Sequence, residues 1–234
     1  MPKQLTDEFT DIRQHQWCIH CSRPKIGLHL NRDHVPSKSL VDKEFHVELQ
    51  VTEICKKCNE SFSLDEEYFL AFLSAVLSGS TEPAVQVIKK AGKKFETNPS
   101  LAKRISRQEK KYETQDGRVQ SIWVPELERI RNVVLKNARG HFYHECAEPL
   151  MQDPLQVYFS PIEFVNSEIL ERSFSASGWA EIGSRWNTRL LSENIFDSAG
   201  FAVVQPDVYK FKIYTEQARV DTVIRNYLFT SVIW

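Results

Sequence analysis

"EICKKCNESF", residues 53 to 62, sets two cysteines three positions apart with Asn59 directly behind the second. Upstream, "CIHC", residues 18 to 21, repeats the spacing. A Cys-x-x-Cys turn presents two thiols on one tight knuckle, and two knuckles supply the four tetrahedral ligands that zinc prefers. Cys18, Cys21, Cys55 and Cys58 are therefore the expected ligands of one structural Zn²⁺, with Cys146 left alone. Four thiolates leave no open position for chemistry at that ion. His20, inside the first knuckle, is an alternative ligand, but a Cys₄ shell is simpler. The bland alternatives are four unrelated thiols or a redox pair. The knuckles stand 33 residues apart, so the ion would staple a sizeable loop. Closing it contributes folding free energy that the core of a small module does not supply alone.

Composition narrows the class. A chain of 234 residues with 41% hydrophobic and 26% charged residues is expected to pack a core rather than stay disordered. The formal net charge of −1 gives no global sign of nucleic-acid binding, so any such signal must be local. The longest apolar run, "YFLAFLSAVL", falls well short of the ~20 residues of a membrane span. The opening "MPKQLTDEFTDIRQHQ" carries no apolar segment of a secretory signal. The expectation is a soluble cytoplasmic protein with no membrane association.

Between the knuckles lies "RDHVPSKSL", residues 32 to 40. Hydrolysis of a phosphodiester needs a base for the attacking water and a hard cation on the scissile phosphate. Neutral imidazole suits the first task, which points to His34. A carboxylate and an amide oxygen suit Mg²⁺ or Mn²⁺, which points to Asp33 and Asn59. Asp33 and His34 are adjacent, so in an extended strand they face opposite ways unless a twist or bulge intervenes. Taken singly, these residues read as a polar turn and a helix cap.

Taken together, the order Cys-x-x-Cys, "DHVPSK", Cys-x-x-Cys-Asn resembles the zinc-containing HNH nucleases of the ββα-metal class. The continuation "FSLDEEYF" (62–69), "LKNARGHFYHE" (135–145) and the ending "VIRNYLFTSVIW" are similar to a bacterial subgroup of that family. The resemblance implies a metal-dependent endonuclease, a hydrolase acting on DNA more readily than RNA, with a role in bacterial defence. It implies His34 as general base, with Asp33 and Asn59 holding catalytic Mg²⁺ or Mn²⁺. One departure stands out. The family's middle Asn, which fixes the loop carrying the base, should precede Cys55 by five to seven residues. "HVELQVTEIC" offers only Glu48, Gln50 or His46 there. That leaves a catalytically degenerate zinc module, binding nucleic acid or a protein, as the alternative from another class.

The fold class expected is α+β: an HNH module over residues 1–79 and an α+β domain over 80–234. Within the first, Ser63-x-x-Glu66 reads as a capping box opening a helix with an apolar stripe from Phe69 to Leu77. Residues 84–118 are basic, ten Lys or Arg against four acidic residues, and read as two helices broken at Asn98-Pro99. Lys89, Lys90, Lys93, Lys94, Arg104 and Arg107 are candidate phosphate contacts there, and Arg32, Lys38, Lys56 and Lys57 are candidates in the module. A solvated helical face is the plain alternative. Beyond lie a helix over 126–139 ending near Gly140 and β-type segments at "SIWV", "LQVYF" and "GFAVVQPDVYKFKIY". The last is expected to turn at Gln205-Pro206-Asp207. "ARVDTVIRNYLF" is apolar-periodic and precedes a short terminal strand. His141 and His144 read as satisfied histidines rather than a second metal site, and Trp123, Trp179, Trp186 and Trp234 as core anchors. A protein partner or a second copy could dock through the C-terminal domain.

Overall fold

Burial rises along residues 30–35 toward Val35, and residues 50–55 are buried except for Glu53. In the computed structural model, which describes residues 15–42, 49–166, 184–191 and 195–234, β1 (Leu30–Val35) pairs antiparallel with β2 (Gln50–Cys55). The register runs one to one, with Asp33 opposite Thr52 and His34 opposite Val51. Period-two alternation then sends Asp33, Val35, Thr52 and Ile54 to a buried inner face. Arg32, His34 and Glu53 take the outer face.

Helix α1 (Lys56–Ser78) starts where β2 ends. The capping box expected at Ser63 therefore lies inside a helix already under way. The reason is the second knuckle: Cys55 Sγ accepts the Cys58 N–H at 3.4 Å, which caps the first turn before Ser63 is reached. Two units result, Met1–Glu60 with Val134–Trp234, and Ser61–Val133. The boundary expected at residue 79 falls inside the second.

In that second unit α2 (Lys89–Thr97) and α3 (Pro99–Ser106) meet at the expected break. Asn98 Oδ1 accepts the Leu101 N–H at 3.2 Å and Pro99 takes the first helical position, where its missing N–H costs nothing. The basic segment does not stay helical. From residue 109 it becomes a two-stranded ribbon, β3 (Glu109–Glu113) with β4 (Val119–Trp123). Tyr68 of α1 anchors this unit. Its hydroxyl donates to Gln108 at 2.7 Å and accepts the Glu126 N–H at 2.8 Å. The Arg104 and Arg129 guanidiniums lie 5.8 and 5.7 Å from its ring centroid, and both pair with Glu126.

The chain returns to the first unit through α4 (Leu127–Cys146), which does not stop at Gly140. Gly140 is where that helix passes the hairpin: a Cβ there would meet Val35 Cγ2 at 2.6 Å. The glycine serves close approach, not termination. Five antiparallel strands follow in the order β5-β9-β8-β7-β6. They are β5 (Gln156–Pro161), β6 (Ala202–Gln205), β7 (Tyr209–Tyr214), β8 (Arg219–Ile224) and β9 (Leu228–Ile233). The β6–β7 turn falls at Gln205-Pro206-Asp207 as expected. "ARVDTVIRNYLF" is itself a hairpin, turning at Arg225 and Asn226, which both take positive φ. His141 of α4 stacks on Phe211 of β7 with centroids 4.0 Å apart. Trp186 of α5 (Arg185–Leu190) is fully buried, its ring 6.0 Å from that of Phe211. Trp123 and Trp234 are partly buried, and Trp179 lies outside the described residues.

Candidate metal centre and candidate active site

The first knuckle closes locally: the Cys18 N–H bonds Arg23 O, the Ser22 N–H bonds Cys18 O, and Ser22 takes φ 56° to complete the turn. The Cys55 N–H points at Cys18 Sγ at 3.5 Å, which ties the two knuckles together. The four Sγ atoms of Cys18, Cys21, Cys55 and Cys58 all lie within 4.8 Å of one another. Cys21 and Cys55 Sγ are 3.7 Å apart, against the edge of about 3.8 Å that a tetrahedron of ~2.3 Å Zn–S bonds requires. The cluster is compatible with a structural zinc ion. Contact with Cys58 lowers the Cys18 thiol to about 3, and the same contact raises Cys58 far above the thiol range. Arg23 reinforces the site from outside, donating to Cys21 Sγ at 3.3 Å and reaching Cys55 Sγ at 3.7 Å. Tyr143 of α4 packs on the cluster with Ile19 and Ile54.

His34 sits half-buried on the outer face of β1. Among the described residues it has no hydrogen-bond partner. Burial lowers its pKa and Lys38 adds to that, against the opposing pull of Asp33. The ring is thus neutral at pH 7 and able to accept a proton. Asn59 stands in the first turn of α1, half-buried, and its amide too has no hydrogen-bond partner among the described residues. Arg32, Lys38, Lys56 and Lys57 are exposed; Lys56 is 3.5 Å from Glu60.

Asp33 goes elsewhere. With no bulge in β1, its carboxylate lies on the inner face, 7% exposed. Oδ1 is 2.7 Å from the Lys136 ammonium, and Oδ2 is 3.8 Å from His20 Nε2. Burial alone would raise this carboxyl, but His20 and Lys136 outweigh it and hold the pKa below the usual range. Asp33 and His34 therefore do not share a face. As donor types, Asp33 and Asn59 suit Mg²⁺ or Mn²⁺. As placed, Asp33 does not fit that ion, because a lysine already occupies its position against the carboxylate.

Lys136 is the residue that sequence reading missed, and α4 carries more such contacts. Lys136 Nζ also donates to Ser37 Oγ at 3.0 Å, and Asn137 Oδ1 accepts the Ser37 N–H at 2.8 Å. Arg139 donates to His20 O at 3.1 Å and Gln152 O at 2.8 Å. His144 Nε2 meets Thr52 Oγ1 at 2.9 Å. Gln50 donates to Glu145 at 3.2 Å, and Glu145 also pairs with Arg189 at 2.7 Å. Gln50 is thereby committed to α4. Glu48 and His46 lie outside the described residues. The only available signal was "LKNARGHFYHE", a run of polar residues inside an apolar-periodic helix.

In the second unit Lys89, Lys93 and Arg107 are exposed and Lys90 partly so. Lys94 pairs with Glu67 at 3.2 Å, and Arg104 belongs to the Tyr68–Glu126 cluster. Among the described residues no helix is long and apolar enough to cross a membrane. No family model, no curated protein and no solved structure matches the chain.

Proposed function

We propose that the chain is an HNH-type endonuclease that hydrolyses phosphodiester bonds of nucleic acid, DNA rather than RNA, with Cys18, Cys21, Cys55 and Cys58 on a structural zinc ion. The observation that carries this reading is the outer face of the stapled hairpin: a neutral imidazole, His34, that the fold leaves without a hydrogen bond. Half-burial lowers the pKa of that imidazole, so at pH 7 a rigid strand presents it as a neutral base. His34 takes the proton of the water attacking phosphorus. Arg32, on the same face of β1, and Lys38, just beyond the strand, meet the flanking phosphates. Asn59 orients the substrate or its cation through its amide.

A non-catalytic nucleic-acid-binding module is the second reading. The pairing of Asp33 with Lys136 favours it, as does Glu48 standing in the zone where the resemblance calls for Asn.

Cleavage of plasmid DNA and of a structured RNA, each with Mg²⁺, Mn²⁺ or chelator, separates the two. For the nuclease, His34→Ala lowers cleavage about 10²- to 10⁴-fold, with zinc content and melting temperature unchanged. Retention of both polymers intact by folded, zinc-loaded wild type sinks the nuclease and leaves the binding module. Preferential cutting of RNA moves the substrate class.

A further inference from the structure

The inner face of the hairpin holds a charge arrangement that the outer-face chemistry does not use. Lys136 is 4% exposed and Asp33 is 7% exposed. A buried ammonium is costly unless it is matched by a carboxylate and further acceptors, and this one has both: Asp33 Oδ1 at 2.7 Å and Ser37 Oγ at 3.0 Å. His20 Nε2 stands 3.8 Å from the second carboxylate oxygen, a longer contact than the ammonium makes. The charge in closest contact with Asp33 thus belongs to α4.

We propose that Lys136 is the resident cation of Asp33. Its ammonium takes the position that a divalent ion would need, and through Ser37 it positions the strand end that carries His34. The proposal rests on the nuclease reading only for the purpose of that positioning; the occupancy of Asp33 stands apart from it. Three features support it. The ion pair lies on the face of β1 opposite His34, and β1 has no bulge that would bring the two side chains together. Asn137, the next residue of α4, fixes the Ser37 N–H, so the lysine is held on a helix already docked at that point. A neutral Asp33–Lys136 pair also offers an incoming Mg²⁺ or Mn²⁺ no net charge, and Coulomb attraction is the main reason such ions bind carboxylates.

The test is a titration of the full-length, zinc-loaded protein with Mn²⁺ alone, read by electron paramagnetic resonance of free Mn²⁺ and by broadening of the His34 imidazole C–H signals in NMR. Wild type and Asp33→Asn are expected to bind Mn²⁺ equally weakly, with no selective broadening at His34. Lys136→Gln is expected to gain at least tenfold in Mn²⁺ affinity, and Lys136→Gln/Asp33→Asn to lose that gain. Lys136→Arg, which keeps the charge, is expected to behave as wild type. One stoichiometric Mn²⁺ that broadens His34 in wild type and is weakened tenfold or more by Asp33→Asn overturns the proposal. If Lys136→Gln or Asp33→Asn fails to fold, the wild-type titration and Lys136→Arg still decide. These outcomes do not involve cleavage, so absence of nuclease activity leaves them intact.

Discussion

Gly140 sits in a helix interior, where replacement by alanine ordinarily stabilises by up to ~1 kcal/mol. Here the sign reverses. The new methyl would lie 2.6 Å from Val35 Cγ2 and 3.1 Å from Cγ1, well inside contact distance, and Val35 is itself buried. Gly140→Ala is expected to destabilise by about 1–3 kcal/mol, seen as a lower urea midpoint, with part of the loss recovered in Gly140→Ala/Val35→Ala. An unchanged or higher midpoint would show that the helix and hairpin are not packed as described. At this scale the sequence was legible by type more than by partner. Cys-x-x-Cys spacing identified all four thiols, and Asp33, His34 and Asn59 were recognisable as chemistry-bearing residues. What their neighbours do to them was not legible. Lys136 reads as a surface lysine because lysines seldom lie buried, and its 99-residue separation from Ser37 leaves no periodic trace.

Secondary elements were readable where local chemistry decides them and misread where a tertiary contact takes over. The break at Asn98-Pro99 and the turn at Gln205-Pro206-Asp207 came through because Pro and Asn act on their own backbone. The start of α1 did not, because a thiol caps it instead of Ser63. The end of α4 did not, because Gly140 answers to Val35. Arg104 shows the same limit. On an exposed basic helix it looks like a phosphate contact, yet it pairs with Glu126 over the Tyr68 ring. Its guanidinium is about half exposed, so solvent screening discounts the pair. Arg104→Ala is expected to lower stability by about 1 kcal/mol or less and to leave the salt dependence of DNA affinity unchanged. Lys89→Ala, Lys90→Ala and Lys93→Ala combined are expected to flatten that dependence, by roughly 0.9 in the log–log slope for each phosphate no longer neutralised. Thermal melts and DNA binding across a salt series measure both effects. A slope altered by Arg104→Ala alone would make that residue a phosphate contact of the proposed nuclease.

Across the whole molecule, the first unit closes around two histidines kept neutral by burial. His144 is lowered to about 3, by burial first and then by Arg185 and Arg189; His141 is held well below its ordinary value by the same main cause. Depressed folded-state values mean that the unfolded chain takes up these protons first. The stability they contribute is complete above the unfolded value near ~6.5 and is lost as pH falls toward 3, by up to about 1.4 kcal/mol per pH unit per histidine. Urea midpoints should therefore drop steeply between pH 6.5 and 4.5, and less steeply in His144→Gln. Equal slopes for the two proteins would mean that His144 is charged in the folded state. The α+β class was legible because strand and helix patterns are local. The division into units was not, since it depends on which distant segments meet, and the first unit is built from both ends of the sequence.

That last feature sets an order of events during synthesis. The hairpin with its cysteine knuckles leaves the ribosome while α4 is still untranslated. Until residues 134–146 emerge, Asp33 has no ammonium, Thr52 and Gln50 lack His144 and Glu145, and Val35 has no helix to rest on. Zinc can gather the knuckles early, but the strand bearing His34 is held in place only once Lys136 and Asn137 arrive. A chain interrupted before that point carries the chemical groups of the site without the scaffold that aims them. Placement of the strand thus waits on synthesis through α4, not on the hairpin alone.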